Sequence, residues 1–392
     1  MAIRRRGGST KNPPVLSHEF VIQNHADIVS CAAMFILLGL MFQITSPLSS
    51  TFVAMQYNVT INNTEDPEAE PTTLYQHGLL DMCSVFFYFL ICVVIHAVIQ
   101  EYILDKLNRK LHLSKVKHSK FNESGQLLTF YLMSVVWGMH VMIKEGLTEN
   151  ISHLWDSYPY FLKTFRFKFY FIVQIAYWLH IYPELYFQKV KKEEVSARIR
   201  YASFYLAFIL SAYILNLGHL TLVCLVIHYI AELTFHVARL LYFGEKTELS
   251  GPFFKLWCFL FLVARLGVVT LTVLVVWFGL GKLENTGLDV KTGNFNTPLI
   301  RVSILAGVSL FQAWLLSNFL TFQLRRRREN QLAAAPRKKT PMGKSKDKKA
   351  KKEEVNKKLK AESVEDEGFG DMAVVAPAEN GGMRTRSKSK KK

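Results

Sequence analysis

The segment Gly218–Phe243, GHLTLVCLVIHYIAELTFHVARLLYF, restricts what this chain can be more than any other stretch. It is long and apolar enough to cross a hydrocarbon core about 30 Å thick, which takes about 20 residues. Yet it carries His219, His228, Glu232, His236 and Arg239. An ionisable group at the centre of a membrane helix costs about 2.5–3.5 kcal/mol on insertion scales, so it faces protein or water rather than lipid. On a helix at about 100° per residue with His228 at zero, Arg239 falls at about 20°, Glu232 at about 40° and His236 at about 80°. The four form one narrow stripe, which Thr221 and Cys224 extend toward the start of the helix. His219 falls on the opposite face, in the turn after Asn216-Leu217-Gly218. The stripe predicts a bundle interior or a hydrated cleft.

The rest of the chain agrees with a membrane protein. Half of its 392 residues are hydrophobic, and they are gathered into runs. The runs predict an all-α polytopic membrane protein with about eight transmembrane helices, near 28–45, 78–99, 126–143, 166–182, 201–217, 219–243, 253–280 and 298–322. Lys and Arg divide unevenly between the two sides: 38 with the termini against 4 opposite. The positive-inside rule therefore puts both termini in the cytosol. Residues 1–27 read as a cytosolic segment, 28–116 as two helices with a lumenal loop 46–77, 117–326 as six further helices, and 327–392 as a disordered basic tail. The tail holds little to bury. From Arg325 onward it has 22 basic and 10 acidic residues. It suits anionic head groups or, in a second reading, ribosomal RNA. Two sequons, Asn58-Val-Thr and Asn62-Asn-Thr, lie in the long lumenal loop and predict glycosylation.

The next helix offers the stripe a partner. Arg265 lies deep in FFKLWCFLFLVARLGVV. Across the turn near 244–251, Glu232 and Arg265 sit at matching depths of roughly 18–21 Å, at 1.5 Å per residue. They are expected to approach each other. The candidate intramembrane cleft is thus His228, Glu232, His236, Arg239 and Arg265. It reads in three ways: a network fixing helix register, a binding cleft for lipid or a passing polypeptide, or a catalytic or metal site. His228-x3-Glu232-x3-His236 places three potential ligands on one face, but it is not HExxH and lacks a further ligand set. The five cysteines all sit in apolar runs, without CxxC spacing, and read as small buried hydrophobes. No metal, cofactor or catalytic residue is expected.

Several stretches resemble a known family. They are PPVLSHEFVIQNHADIVSC (13–31), HAVIQEYILDKLNRKLHLSK (96–115), HSKFNESGQLLTFYL (118–132), YFIVQIAYWLHIYPELYFQKVKKEE (170–194), LVIHYIAELTFHVARLLYF (225–243) and TGNFN (292–296). In order, they resemble the TLC-type domain and, more closely, the translocating chain-associated membrane (TRAM) proteins. The resemblance implies a TLC-type helical bundle in the endoplasmic reticulum membrane. It also implies an accessory role at the Sec translocon channel, contacting nascent chains, signal sequences and membrane lipids. The alternative it carries is a lipid-binding or sphingolipid-related acyltransferase. Ceramide synthases of the wider family have a His-His pair about 26 residues before His-Asp-x-x-Asp, where imidazoles serve as bases. Here the pair maps to Tyr201-Ala202, the first Asp to Tyr229 and the second to Glu232. Only His228 and one carboxylate survive.

Overall fold

A computed structural model describes residue 14 and residues 17–62, 71–159, 162–190, 192–284 and 286–334. The described residues are mostly helical. Two short N-terminal helices, α1 (His18–Gln23) and α2 (His25–Gly39), lead into α3 (Ser46–Val53). A small antiparallel hairpin follows, β1 (Asn58–Ile61) with β2 (Thr72–Tyr75), in the register Asn58 opposite Tyr75. Helix α4 (Asp81–Val98) runs through a π turn (Ile99–Leu104) into α5 (Asp105–Leu111). Then come α6 (Lys115–Lys144), α7 (Phe165–Phe187), α8 (Lys192–Ile214) and α9 (Gly218–Phe243). Helix α10 (Thr247–Thr272) passes through a second π turn (Val273–Gly279) into α11 (Leu280–Lys282), and α12 (Pro298–Ala334) closes the bundle.

Five helices among the described residues are long and apolar enough to cross a membrane: Asp81–Leu111, Lys117–Lys144, Gly218–Phe243, Thr247–Lys282 and Pro298–Arg328. Helices α7 and α8 match two further predicted spans but carry charge, including Arg166, Lys168 and Glu184 on one and Arg198 and Arg200 on the other. They are shielded differently. Tyr170, Phe171, Ile172, Ala176 and Trp178 of α7 are wholly buried, so α7 is an interior helix. The predicted first span, 28–45, is broken. Helix α2 has 15 residues, and a turn follows in which Thr45 Oγ1 donates to Gly39 O at 2.7 Å. Helix α3 then packs back against α2 and α4.

Helix α9 lies between α6 and α10, while α7 packs against α4 and α8. Gly138 lets α6 close on α9, since a Cβ there would meet Val226 Cγ2 at 2.7 Å. Trp178 joins the two groups of helices. Its Nε1 donates to Tyr229 Oη at 3.2 Å and its ring stacks on Tyr205. Helix α12 lies outermost.

Two expectations need correction. The sequence predicts disorder from 327, but α12 continues through Arg325–Arg328 to Ala334. The helix carries the arginines out beyond its apolar stretch. The remainder, 335–392, lies outside the described residues. Of the five cysteines, all free thiols, Cys224 alone is buried, while Cys31 is exposed on α2.

Candidate functional site

The stripe on α9 faces inward and meets side chains from three other helices. His228 lies at its centre. Arg265 of α10 donates through a terminal nitrogen to His228 Nδ1, and His228 Nε2 meets the hydroxyl of Tyr205 on α8. With Nδ1 accepting, the neutral ring carries its proton on Nε2 and donates to Tyr205. Tyr205 and Tyr201 hydroxyls lie 3.4 Å apart, Tyr131 Oη of α6 is 2.6 Å from Tyr201 Oη, and Tyr201 hydrogen-bonds Glu232. The donors therefore run in one direction, from Arg265 through His228, Tyr205 and Tyr201 to the Glu232 carboxylate. Arg265 also donates to Gln312 Oε1 of α12 at 3.0 Å and lies over the Phe261 ring.

Glu232 and Arg265 are in the same buried cluster, as matching depths on adjacent helices require. No direct ion pair joins them among the described contacts. Helix rotation puts His228 in front of Arg265, and two tyrosines complete the link. Glu232 Oε1 is 3.9 Å from His228 Nε2. His236 stacks on Tyr131 at 5.6 Å. Arg239 lies over Phe235 and Phe243, one turn closer to the end where α12 runs out. His219 is not in the cluster and packs edge-on against Phe167.

The cluster lines a cavity of about 620 Å³ between α6, α8, α9, α10 and α12. All five predicted residues line it, as do Thr221 and Cys224. The sequence reading missed the tyrosine relay and Gln312. Tyr201 and Tyr205 share one face of α8 at i, i+4 but look like ordinary aromatic residues of an apolar helix, and Gln312 is an amide in an apolar run. Toward the tail end the mouth carries ion pairs between α6 and α8: Lys120 with Glu194 at 3.6 Å and Arg198 with Glu123 at 3.0 Å. Toward the other end the lining is apolar, with Leu217, Leu220, Ile304 and Val308. Both His228 nitrogens are engaged within the protein, so the ring presents no free base to the cavity. No group of three or more His, Cys, Asp or Glu among the described residues is placed to hold a metal ion.

A second buried polar cluster closes the hairpin end of the bundle. Lys168 of α7, with no exposed surface, pairs with Asp81 of α4 at 2.6 Å. Its ammonium also donates to the carbonyls of Gln56 and Gln76 at 2.8 and 2.7 Å. Asp81 accepts from Tyr213 Oη at 2.8 Å and from the Gly78 amide at 3.0 Å. Nearby, Lys163 donates to Asn216 Oδ1 at 2.8 Å, and Asn216 Nδ2 donates to Gly293 O at 3.0 Å. Burial, with Lys168 beside it, lowers the Lys163 ammonium to about 8. Burial, then Lys163, holds His77 below the usual imidazole value. The two sequon asparagines lie on this side, exposed, with Asn58 in β1 and Asn62 just beyond it.

The TLC domain family matches residues 120–321. Translocating chain-associated membrane protein 2 from Homo sapiens is 46% identical over 330 residues, covering 84% of this chain and 86% of the relative. The protein of that name from Mus musculus gives the same figures. A ceramide synthase of Gibberella moniliformis is 25% identical over 250 residues, 59% of this chain and 54% of its own.

Proposed function

This chain belongs to the translocating chain-associated membrane proteins of the TLC-domain family, and from that premise we propose that it is an accessory of protein translocation at the Sec channel of the endoplasmic reticulum. In this reading it crosses the membrane about eight times, with the shortened α2 making the first crossing. Both termini are cytosolic, the hairpin end is lumenal, and Asn58 and Asn62 carry glycans. The 38 to 4 division of basic residues supports that orientation.

The observation that carries the proposal is a connected polar cluster lining a cavity within the membrane-spanning helices. A protein with such an interior makes the membrane beside it less uniformly apolar. A signal sequence or transmembrane segment with a marginal polar residue then leaves the channel at lower cost. A charge at a helix centre costs about 2.5–3.5 kcal/mol, and relief of about 1.4 kcal/mol shifts partitioning tenfold. Strongly hydrophobic signals gain little. The partners are the channel, nascent chains, signal sequences and surrounding lipid, with the basic tail reaching the ribosome.

The second reading is lipid binding or acyl transfer. The distant ceramide synthase similarity and the cavity favour it. Against acyl transfer stands His228, bonded at both nitrogens, with Tyr201 where the family's histidine pair is expected.

The test is photocrosslinking of ribosome-bound nascent chains in membranes reconstituted with or without this protein. A probe in a weak signal should crosslink to it, and translocation of that signal should fall in its absence. Equal dependence of weak and strong signals would defeat the mechanism.

A further inference from the structure

Among the described residues, the seam between α8 and α12 is sparsely packed. Helix α8 packs on α7 and touches α9 lightly, and its backbone stays apart from that of α12. What bridges the two is aromatic. Phe204 of α8 meets Phe311 of α12 with ring centroids 5.1 Å apart, and Trp314 at 5.8 Å. Phe311 and Trp314 also stack on each other. Phe204 is 41% exposed, with Phe311 and Trp314 half-buried beside it, so the trio reaches the outer surface of the bundle. Immediately behind it lies the cavity, lined by Phe204, Phe311 and Gly307 themselves. Gly307 is exposed, and a Cβ there would meet nothing within 4 Å. Ring contacts bridge the wall here, and such contacts are weak and easily remade.

The size of the space selects its occupant. A membrane-spanning helix is about 10 Å across and about 30 Å long. The cavity holds about 620 Å³, within the range of small-molecule sites. Its deep half is apolar, with Leu217, Leu220, Ile304 and Val308, while Tyr201, Tyr205 and Glu232 give it one polar wall. A single alkyl chain fits that division and a folded helix does not.

We infer that Phe204, Phe311 and Trp314 form a lateral gate between α8 and α12, through which one alkyl chain of a membrane amphiphile enters the cavity from the bilayer. This rests on the reading of the cavity given above and names what its apolar half takes: the alkyl chain of a membrane lipid.

The experiment uses the full chain in nanodiscs of phosphatidylcholine containing a trace of the same lipid with a diazirine at mid-chain. Labelled peptides are identified by mass spectrometry, without ribosomes. In the unmodified protein the probe should label α9 around Leu220–Cys224 as well as the outer faces. Gly307→Phe, which puts a ring into the gap, should lower α9 labelling about fivefold, because a site open in fewer molecules binds with lower apparent affinity. Phe204→Ala with Phe311→Ala should raise it. Labelling of the outer face of α4 should not move in either variant, and that serves as the control for folding. If α9 labelling ignores both variants, or only outer faces are labelled, the gate does not exist. If a photoreactive signal peptide labels the Leu220–Cys224 stretch in place of the lipid, the occupant is wrong. The translocation assay is scored separately. A gate that controls lipid labelling stands even where weak-signal translocation is indifferent to this protein.

Discussion

The two buried polar clusters are built of similar groups and behave as opposites. At the hairpin end, Lys168 and Asp81 are in contact, and their remaining capacity is taken by two carbonyls, a tyrosine and an amide. Those partners come from the α3–β1 connection, the β2–α4 connection and α8, so the pair ties loops to helices. In mid-bundle, Arg265 and Glu232 do not touch. Their link passes through His228, Tyr205 and Tyr201. Among the described residues Arg265 Nε and His236 Nδ1 have no hydrogen-bond partner, whereas Asp81 Oδ1, without another, is held by the Lys168 ammonium, and the mid-bundle cluster borders open space. A satisfied, enclosed network holds a fold, while an incompletely satisfied one beside a cavity is available to something else.

The sharpest way to break this comparison is to cut each cluster once. Lys168→Met leaves Asp81 buried without its counter-charge and should cost about 3–5 kcal/mol. Asp81→Asn combined with Lys168→Met should recover part of that, as read by chemical denaturation in detergent. A double variant no better than the single would show the pair is not the staple described. Gly293→Ala comes next. It sits at φ +70°, and its Cβ would meet Asn216 Nδ2 at 2.1 Å. The strain should cost about 1–3 kcal/mol and loosen the loop before α12, visible as faster hydrogen exchange there.

The mid-bundle cut should look different. Arg265→Met should cost about 1–2 kcal/mol, because His228 and Gln312 are left beside a cavity that can admit water. Its larger effect should be on translocation of a weak signal, with a strong signal spared. If Arg265→Met were as destabilising as Lys168→Met, the contrast would collapse.

A pH dependence is expected as well. Lys163 titrates at about 8 when folded against 10.5 unfolded. Between those values the unfolded chain binds more protons, so stability rises with pH through that window. His77, also lowered, acts in the same direction as pH climbs toward 6.5. Stability of the hairpin end should therefore increase from pH 6 to pH 10, and Lys163→Met should flatten the upper part of the curve. A fall across the window would contradict the burial of that ammonium.

Much of the candidate site was legible in advance. The α9 stripe is a matter of spacing within one helix, and His228, Glu232, His236 and Arg239 all line the cavity. The depth of Arg265 followed from counting residues across a turn. Its partner did not, because depth says nothing of rotation. Tyr201 and Tyr205 read as ordinary aromatic residues of an apolar helix until α8 is turned toward α9. The hairpin-end cluster was missed altogether. Asp81, Lys168 and Asn216 are far apart in the chain and each is unremarkable alone.

The sequence by itself determined the membrane-spanning character, the asymmetry of charge and the polar face of α9. All three are sums or periodicities over neighbouring residues, which the backbone repeat converts directly into position. Tertiary structure alone decided which polar groups meet, that Arg265 reaches Glu232 only through a relay, and that α8 and α12 stand apart around a cavity. Those outcomes depend on how each helix is rotated and spaced against its neighbours. That rotation is set by many side chains packing at once, and no single segment carries it.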